Sequence, residues 1–495
     1  MPPGPMRSQR TPGPQEETPL LRDRNTPRTK TPLPITQIVI LLLLQLAEPI
    51  TSLSINPYVN QEHLLQLVSE LPIIGGDERK VGYYAGFIVS LYFAAEAVTV
   101  LQWSRLSDKV GRKPVLLCGL LGTVVSSILF GLSRSFSALV LSRCLHGMLN
   151  GNIGVMKSMM TELTDETNMA QAFSLISVTW AIGGTMGPFI GGVLSRPQDR
   201  WPNVFSHPFW GEYPYFLPCL TTAAYSLLSF TLAAIFLKET VNRGPIMKPS
   251  TVINSDFSRV GEDEILDGPV KDEERSLPLR ALLTRPVVVS IASYCMISLL
   301  DIIAIALVPL VWSTSVEFGG LGMSPASIGL WKSGYGIMNG VFQFVAFPRV
   351  VGRFGPWHVF ITCIVLFFPV YILFPLESLA LRHLSRDLNP AVGLLMILQL
   401  SAETLANMGF GVIFMYISSA APNKRSLGAT NGAAQTMVSI QRAIGPAAAT
   451  TLFAYSLENS ILGGNLVYVV LLALVLVGLG VAVQLPRGVW KHNEQ

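Results

Sequence analysis

Apolar stretches recur along this chain at lengths that suit a bilayer. About 20 mainly apolar residues cross the hydrocarbon core as a helix. Windows of that kind fall at roughly 35–57, 82–102, 114–132, 136–157, 171–194 and 214–237. A second series follows at roughly 286–312, 325–347, 357–375, 391–418, 428–455 and 465–485. The pattern predicts an all-α membrane protein of twelve spanning helices, as one six-helix bundle over 35–237 and another over 286–485. Between them, residues 238–285 carry both signs of charge, as in GEDEILDGPVKDEERS, and read as a soluble linker. Residues 1–34 are polar and rich in Pro, Thr and Arg. They lack the apolar core of a cleavable signal and are expected to be disordered. Residues 486–495 form a short polar tail.

Charge sets the orientation. Most of the 35 Lys and Arg fall in the tail, the linker and the loops on one side of the expected bundle. That count places Lys157 with the loop after the fourth span. Positive loops stay on the cytoplasmic side, so both termini, the linker and the C-terminal tail are expected there. Only 13% of residues are charged, against roughly 25% in a soluble protein. A soluble enzyme and a secreted disulfide scaffold are therefore excluded. Five cysteines lie in apolar stretches without ligand spacing, and the six histidines are dispersed, so no metal site is expected. No nucleotide loop or nucleophile elbow occurs, so neither enzyme activity nor a cofactor is expected. The formal charge of +4 is spread over loops and gives no nucleic-acid face.

The two halves are related. A constant shift lays Arg105 on Arg349 and Gly111 on Gly355, and Gly187–Pro188 in the fifth span has a counterpart in Gly445–Pro446 in the eleventh. Weak internal symmetry of this kind marks transporters built from repeats.

Three segments carry a resemblance. Residues 103–113, WSRLSDKVGRK, follow the second span, with Asp108, Gly111, Arg112 and Lys113 at fixed positions of a known loop signature and Ser104 and Ser107 as small-residue departures. The fifth span holds GGTMGPFIGG, with Gly183, Gly187, Pro188, Gly191 and Gly192 in the pattern G-x-x-x-G-P-x-x-G-G. The fourth holds LSRCLHGMLNGN, with Arg143, Gly147 and Gly151. On these residues the chain resembles the major facilitator superfamily over nearly all of 35–485. The first span, with LAEPITSLSINPY, resembles fungal twelve-span drug:proton antiporters, a group similar to tetracycline exporters and zinc-induced facilitators. The Cys-Pro-Gly-Cys of the facilitators is absent here. The resemblance implies the major facilitator fold and a latch of Asp108, Gly111 and Arg112 with an acid at the end of the fourth span, for which Glu162 is the candidate. It also implies that the fifth-span glycines accompany proton-coupled export. Gly352 stands where the second half would repeat Asp108, so no second latch is expected.

Ions inside hydrocarbon are costly and face a partner or an aqueous cavity. Glu48 and Arg143 lie at similar depth, about 10–14 Å below the outer face at 1.5 Å per residue. They read as a proton carrier tuned by its arginine, or else as a static pair. Glu96 lies closer to the cytoplasmic end and is assigned to the inner gate. His146 either relays protons or is a hydrogen-bonded core residue. In the second half Asp301, Glu403 and Arg442 are placed near the midplane, and Lys332 in the eighth span is a fourth buried charge. They either recognise substrate, with Asp301 or Glu403 pairing an amine, or form a self-satisfied network. Trp180 and Tyr335 are the aromatic candidates for the cavity.

The expectation is a proton-driven exporter of a small amphipathic compound (a drug, toxin or secondary metabolite) working by alternating access as a monomer. The alternatives are a proton-coupled importer of a nutrient or peptide, and a non-transporting sensor of the same fold. Plasma and vacuolar membranes are both open. Glu16 with Leu20 and Leu21 has the spacing of a dileucine signal for a sorting adaptor.

Overall fold

The computed structural model describes residues 31–55, 78–165, 167–241, 278–384 and 390–489. Leu20 and Leu21 and most of the linker lie outside the described residues. Twelve principal helices are found among the described residues. In the first half they are α1 (Ile35–Leu53), α2 (Glu78–Val110), α3 (Arg112–Gly131), α4 (Phe136–Leu149, resuming as Asn152–Glu162), α5 (Met169–Leu194) and α6 (Phe216–Phe236). The second half holds α7 (Arg285–Ser313), α8 (Pro325–Val345) and α9 (Pro356–Val365, resuming as Phe367–Leu384). It continues with α10 (Pro390–Ala406, resuming as Met408–Ala420), α11 (Leu427–Glu458) and α12 (Leu466–Ala482).

Seven helical stretches are long and apolar enough to cross a membrane by length and composition: α1, α3, α5, α6, α7, α9 and α10. The other five fall short for stated reasons. α2, α8 and α11 carry charged or small polar positions along the chain, the two segments of α4 are short, and α12 has 17 residues.

Two expected boundaries are corrected. α2 runs through Val110, so the WSRLSD segment is helical and Gly111 alone separates α2 from α3. Gly111 has φ +112°, and its counterpart Gly355 has φ +80°. Both turn the chain where a side chain is strained. The fourth span does not stop at residue 157. α4 breaks at Asn150–Gly151 and continues to Glu162, which takes Lys157 out of a loop and into the protein interior.

α2 packs along α11 and α5 along α8, and these pairs join the two halves. Within the first half, α1 lies against α5 and α6. A Cβ on Gly183 would meet the Pro49 side chain, and one on Gly191 would overlap the carbonyl of Ser54. The glycine row thus lets α5 approach the backbone of α1. Gly192 and Pro188 are half-buried on the same helix. On α4, Gly147 and Gly151 give the same access to Tyr92 and Trp103 of α2.

Candidate functional site

Polar groups concentrate in two places between the halves. The first is the end of the bundle where Gly111 lies. Arg112 Nη1 is 2.6 Å from Asp108 Oδ1, and Arg112 Nη2 is 2.8 Å from Glu162 Oε1. Asp108 also reaches the other half. Its Oδ1 accepts from the backbone N–H of Gly428 at 3.0 Å and its Oδ2 from that of Ala429 at 2.8 Å. These are free N–H groups in the first turn of α11, where a carboxylate is favoured. Burial pushes the Asp108 carboxyl up from its ordinary range, against the opposing pull of Arg112 and the two N–H groups. Thr161 Oγ1 donates to Ser418 Oγ at 2.8 Å, a further bond between halves. The structure brings Asp108, Gly111, Arg112 and Glu162 together and adds Glu239. That carboxylate accepts the N–H groups of Arg112 and Lys113 at 2.9 and 3.1 Å and caps α3. Glu239 sits after the sixth span, and its sequence position alone does not bring it to α3.

The second place is the middle of the interface. Glu48 of α1 is 7% exposed and Glu96 of α2 is fully buried. Lys157 of α4, 4% exposed, donates across the interface to Tyr294 Oη of α7 at 3.1 Å and to Gln435 Oε1 of α11 at 3.2 Å. Its ammonium lies 3.9 Å from the centre of the Phe414 ring. Gln435 Nε2 donates to Glu96 Oε1 at 3.5 Å. Arg442 of α11 lies between the Phe93 and Trp180 rings, 5.8 and 5.6 Å from their centres. Asn150, at the break in α4, donates to Tyr92 Oη at 2.5 Å, and both groups face Glu48.

Three expectations change here. The cations facing Glu48 are Arg442 and Lys157. Arg143 instead lies 5.0 Å above the Tyr92 ring, because its turn of α4 faces α2 and α3 rather than the interface. Glu96 is not part of the group around Gly111. It belongs with Glu48, since α2 extends two turns beyond the expected span and so places Glu96 deeper. Lys157 is the residue that sequence reasoning missed. Its signal was a lysine at the limit of an apolar window, easily assigned to the adjoining loop.

The six cavity candidates divide. Arg442 and Trp180 join the Glu48 group. Asp301, Lys332, Tyr335 and Glu403 form a second group in the other half. Asp301 faces Glu403, Arg442 and Lys332. The Lys332 ammonium is 5.2 Å from the centre of the Tyr335 ring, and Asn407 Nδ2 donates to Tyr335 Oη at 2.7 Å. Glu403 is 1% exposed and lies beside the Tyr335 hydroxyl. Among the described residues, no cluster of His, Cys, Asp and Glu could hold a metal ion.

A bundle of paired helical halves, joined by a charged latch at one end and a polar core at its centre, is the arrangement of a membrane transporter. The family model for the Major Facilitator Superfamily matches residues 72–446, and the chain belongs to that family. It is 32% identical to a "Major facilitator-type transporter psiT2" of Psilocybe cyanescens, over 96% of this chain and 94% of that one. It is 28% identical to the "Major facilitator superfamily multidrug transporter mfsB" of Aspergillus fumigatus, over 86% of this chain and 79% of that one. The solved structure of the human organic anion transporter MFSD10 (TETRAN) superposes with a TM-score of 0.66 at 17% identity, covering 91% of this chain and all of that one, a likeness of fold. The chain is a multi-pass membrane transporter of this superfamily.

Proposed function

We propose that the chain is a proton-coupled exporter of a small amphipathic organic compound, working by alternating access with the proton gradient as its only energy source. The observation that carries this reading is the central cluster. Two buried carboxyls, Glu48 and Glu96, face two cations, Lys157 and Arg442, and the bonds of Lys157 and Gln435 cross from one half to the other. Adding a proton to one carboxyl changes the charge balance at the contact between halves. A ligand shifts a conformational equilibrium only through different affinities for its two states. Here the proton has that difference, because closure brings Arg442 of the opposing half to both carboxyls, beside Lys157 of their own half. Lys157 and Arg442 take the tuning role first assigned to Arg143.

In this reading the Gly111 end faces the cytoplasm, as the distribution of Lys and Arg supports, and it is closed by Asp108, Arg112 and Glu162. Substrate would occupy the space between Trp180 and the Asp301–Glu403 group. Export is supported by the fifth-span glycine pattern and by relatives named as multidrug transporters. The protein acts as a monomer in the plasma or vacuolar membrane.

The test uses purified protein in proteoliposomes with an imposed pH gradient and a screen of cationic and neutral aromatic compounds. Movement of a compound against the proton gradient, lost in Glu48→Gln, is the expected result. Movement in the same direction as the proton would make the protein an importer. Antiport unaffected by Glu48→Gln would overturn the coupling assignment.

A further inference from the structure

Inside the first half, away from the interface, α1, α3, α4 and α6 enclose a small polar cavity. It has room for about one water-sized sphere, ≈ 10 Å³. Three of its lining side chains are buried and carry polar atoms with no partner: Thr51 Oγ1, Ser127 Oγ and His146 Nε2. Each comes from a different helix, α1, α3 and α4 respectively. Buried polar groups without partners are costly, and a cavity with several of them is the setting in which proteins keep an ordered water. His146 is therefore not the self-satisfied core histidine that its sequence position allows.

The cavity borders the coupling site through one side chain. The His146 ring stands edge-on to the Tyr92 ring, 5.2 Å between centres, and the Arg143 guanidinium covers the same ring at 5.0 Å. Both residues line the cavity. The Tyr92 hydroxyl, at the far end of that ring, faces Glu48. The ring is thus held by two residues rooted in the cavity.

We propose that the cavity holds one resident water, bonded by Thr51, Ser127 and His146, and that this water positions Tyr92 against Glu48. The second part rests on the reading of Glu48 as proton carrier, and the first does not. The water accepts a hydrogen bond from one of the two hydroxyls and donates to the other and to His146 Nε2, so all three orphaned atoms are satisfied without any proton transfer. With the water in place the His146 ring is fixed, and Tyr92 keeps its hydroxyl on the carboxyl. The groups facing Glu48 are Arg442 of α11, Lys157 and Asn150 of α4, and Tyr92 and Glu96 of α2. Thr51, Ser127 and His146 touch none of the charge balance directly, so they are positioning residues.

Two measurements on the full chain in detergent test this. Radiolytic hydroxyl-radical labelling uses water itself as the probe. Cys219 lines the cavity and Cys363 is equally buried elsewhere. Cys219 should be labelled several-fold faster than Cys363, and Thr51→Val should remove the difference. Equal labelling in the wild type would overturn the water. The second measurement follows proton uptake with a soluble pH dye, taking the part lost in Glu48→Gln. Thr51→Val should move its midpoint to higher pH by about 0.5–1 unit, the equivalent of one hydrogen bond to the carboxylate. Thr51→Ser, which restores the hydroxyl, should return the wild-type midpoint. An unmoved midpoint would overturn the positioning role. If Glu48→Gln leaves proton uptake whole, the proton-carrier reading and the positioning role fall together, while the labelling result on the water stands by itself.

Discussion

Each half of the molecule builds the same small unit, and the two copies are used differently. In the first half, Asn150 at the break in α4 donates to Tyr92 of α2 beside Glu48. In the second, Asn407 at the junction within α10 donates to Tyr335 of α8 beside Asp301 and Glu403. A helix break frees backbone groups and turns an amide toward the core. The difference lies in what surrounds each unit. The first is tied to the opposing half through Lys157, Tyr294 and Gln435. The second has its lysine, Lys332, over the tyrosine of its own helix, and Gln343 donates within that half to the carbonyl of Thr404 at 3.1 Å. A change of charge in the first unit therefore alters the contact between halves. In the second it alters local surroundings. Under the proposed function, this division would suit the first unit to coupling and the second to recognition.

The sharpest way to break the comparison is to remove each lysine. Lys157→Met strips the buried carboxyls of a cation and leaves Tyr294 and Gln435 without their bond across the interface. Leaving a buried polar group without its partner costs about 1–3 kcal/mol, and two such groups are orphaned here, so transport in proteoliposomes should fall by two orders of magnitude or more. Lys332 is half-buried within one half. Lys332→Met should raise the substrate concentration at half-maximal rate by about tenfold or less, the scale of a partly exposed charge contact, with the maximal rate kept. Equal losses in both variants would show that the second unit also senses the opposing half.

The latch gives the next largest effect, and it exists in one half only. Asp108→Asn keeps the shape but loses the charge that serves Arg112 and the first turn of α11. Hydrogen bonds to a charged group contribute about 1.5–3 kcal/mol, and cross-linking of a Thr161→Cys, Ser418→Cys pair should fall accordingly.

Helix packing differs between halves in the same sense. An alanine at Gly191 would overlap the Ser54 carbonyl, which is backbone and cannot turn aside. Gly191→Ala should cost about 1–3 kcal/mol through displacement of α1, read as a lower melting temperature in detergent. At Gly445 the added carbon meets the tips of Leu299 and Ile302 at 3.2 and 3.4 Å. Those side chains can rotate, so Gly445→Ala should stay within about 0.5 kcal/mol.

Much of this was legible in the chain. The apolar windows anticipate all twelve helices, because spanning length and loop polarity are local properties. The fixed spacing of Asp108, Gly111 and Arg112 pointed to one group of residues, which the structure assembles with Glu162. The cation facing Glu48 was not, because depth along a helix says nothing about azimuth. Arg143 and Glu48 share a level but face different neighbours. Lys157 was hidden by a window that ended on it, and α4 continues past that point because Asn150 and Gly151 break the helix without ending it. Glu239 and Gln435 act through contacts made across well over a hundred residues of sequence, which only the fold supplies.

The smallest effect tests the position where the second half departs from the first. Gly352 occupies the place of Asp108 under the constant shift between halves. It lies in the short helix Phe347–Phe354, and a Cβ there meets nothing within 4 Å. The arginines around it serve local ends. Arg349 donates to the carbonyl of Val345 on its own side, and Arg353 lies 5.8 Å from the centre of the Phe354 ring. Gly352→Ala should therefore leave transport unchanged. It should raise stability by up to about 0.5–1 kcal/mol, because alanine restricts the unfolded chain more than glycine does. A loss of transport as large as that of Asp108→Asn would mean that this turn makes its own contact with the first half during the cycle. The latch would then be a shared device, and the asymmetry between halves would lie in the central clusters alone.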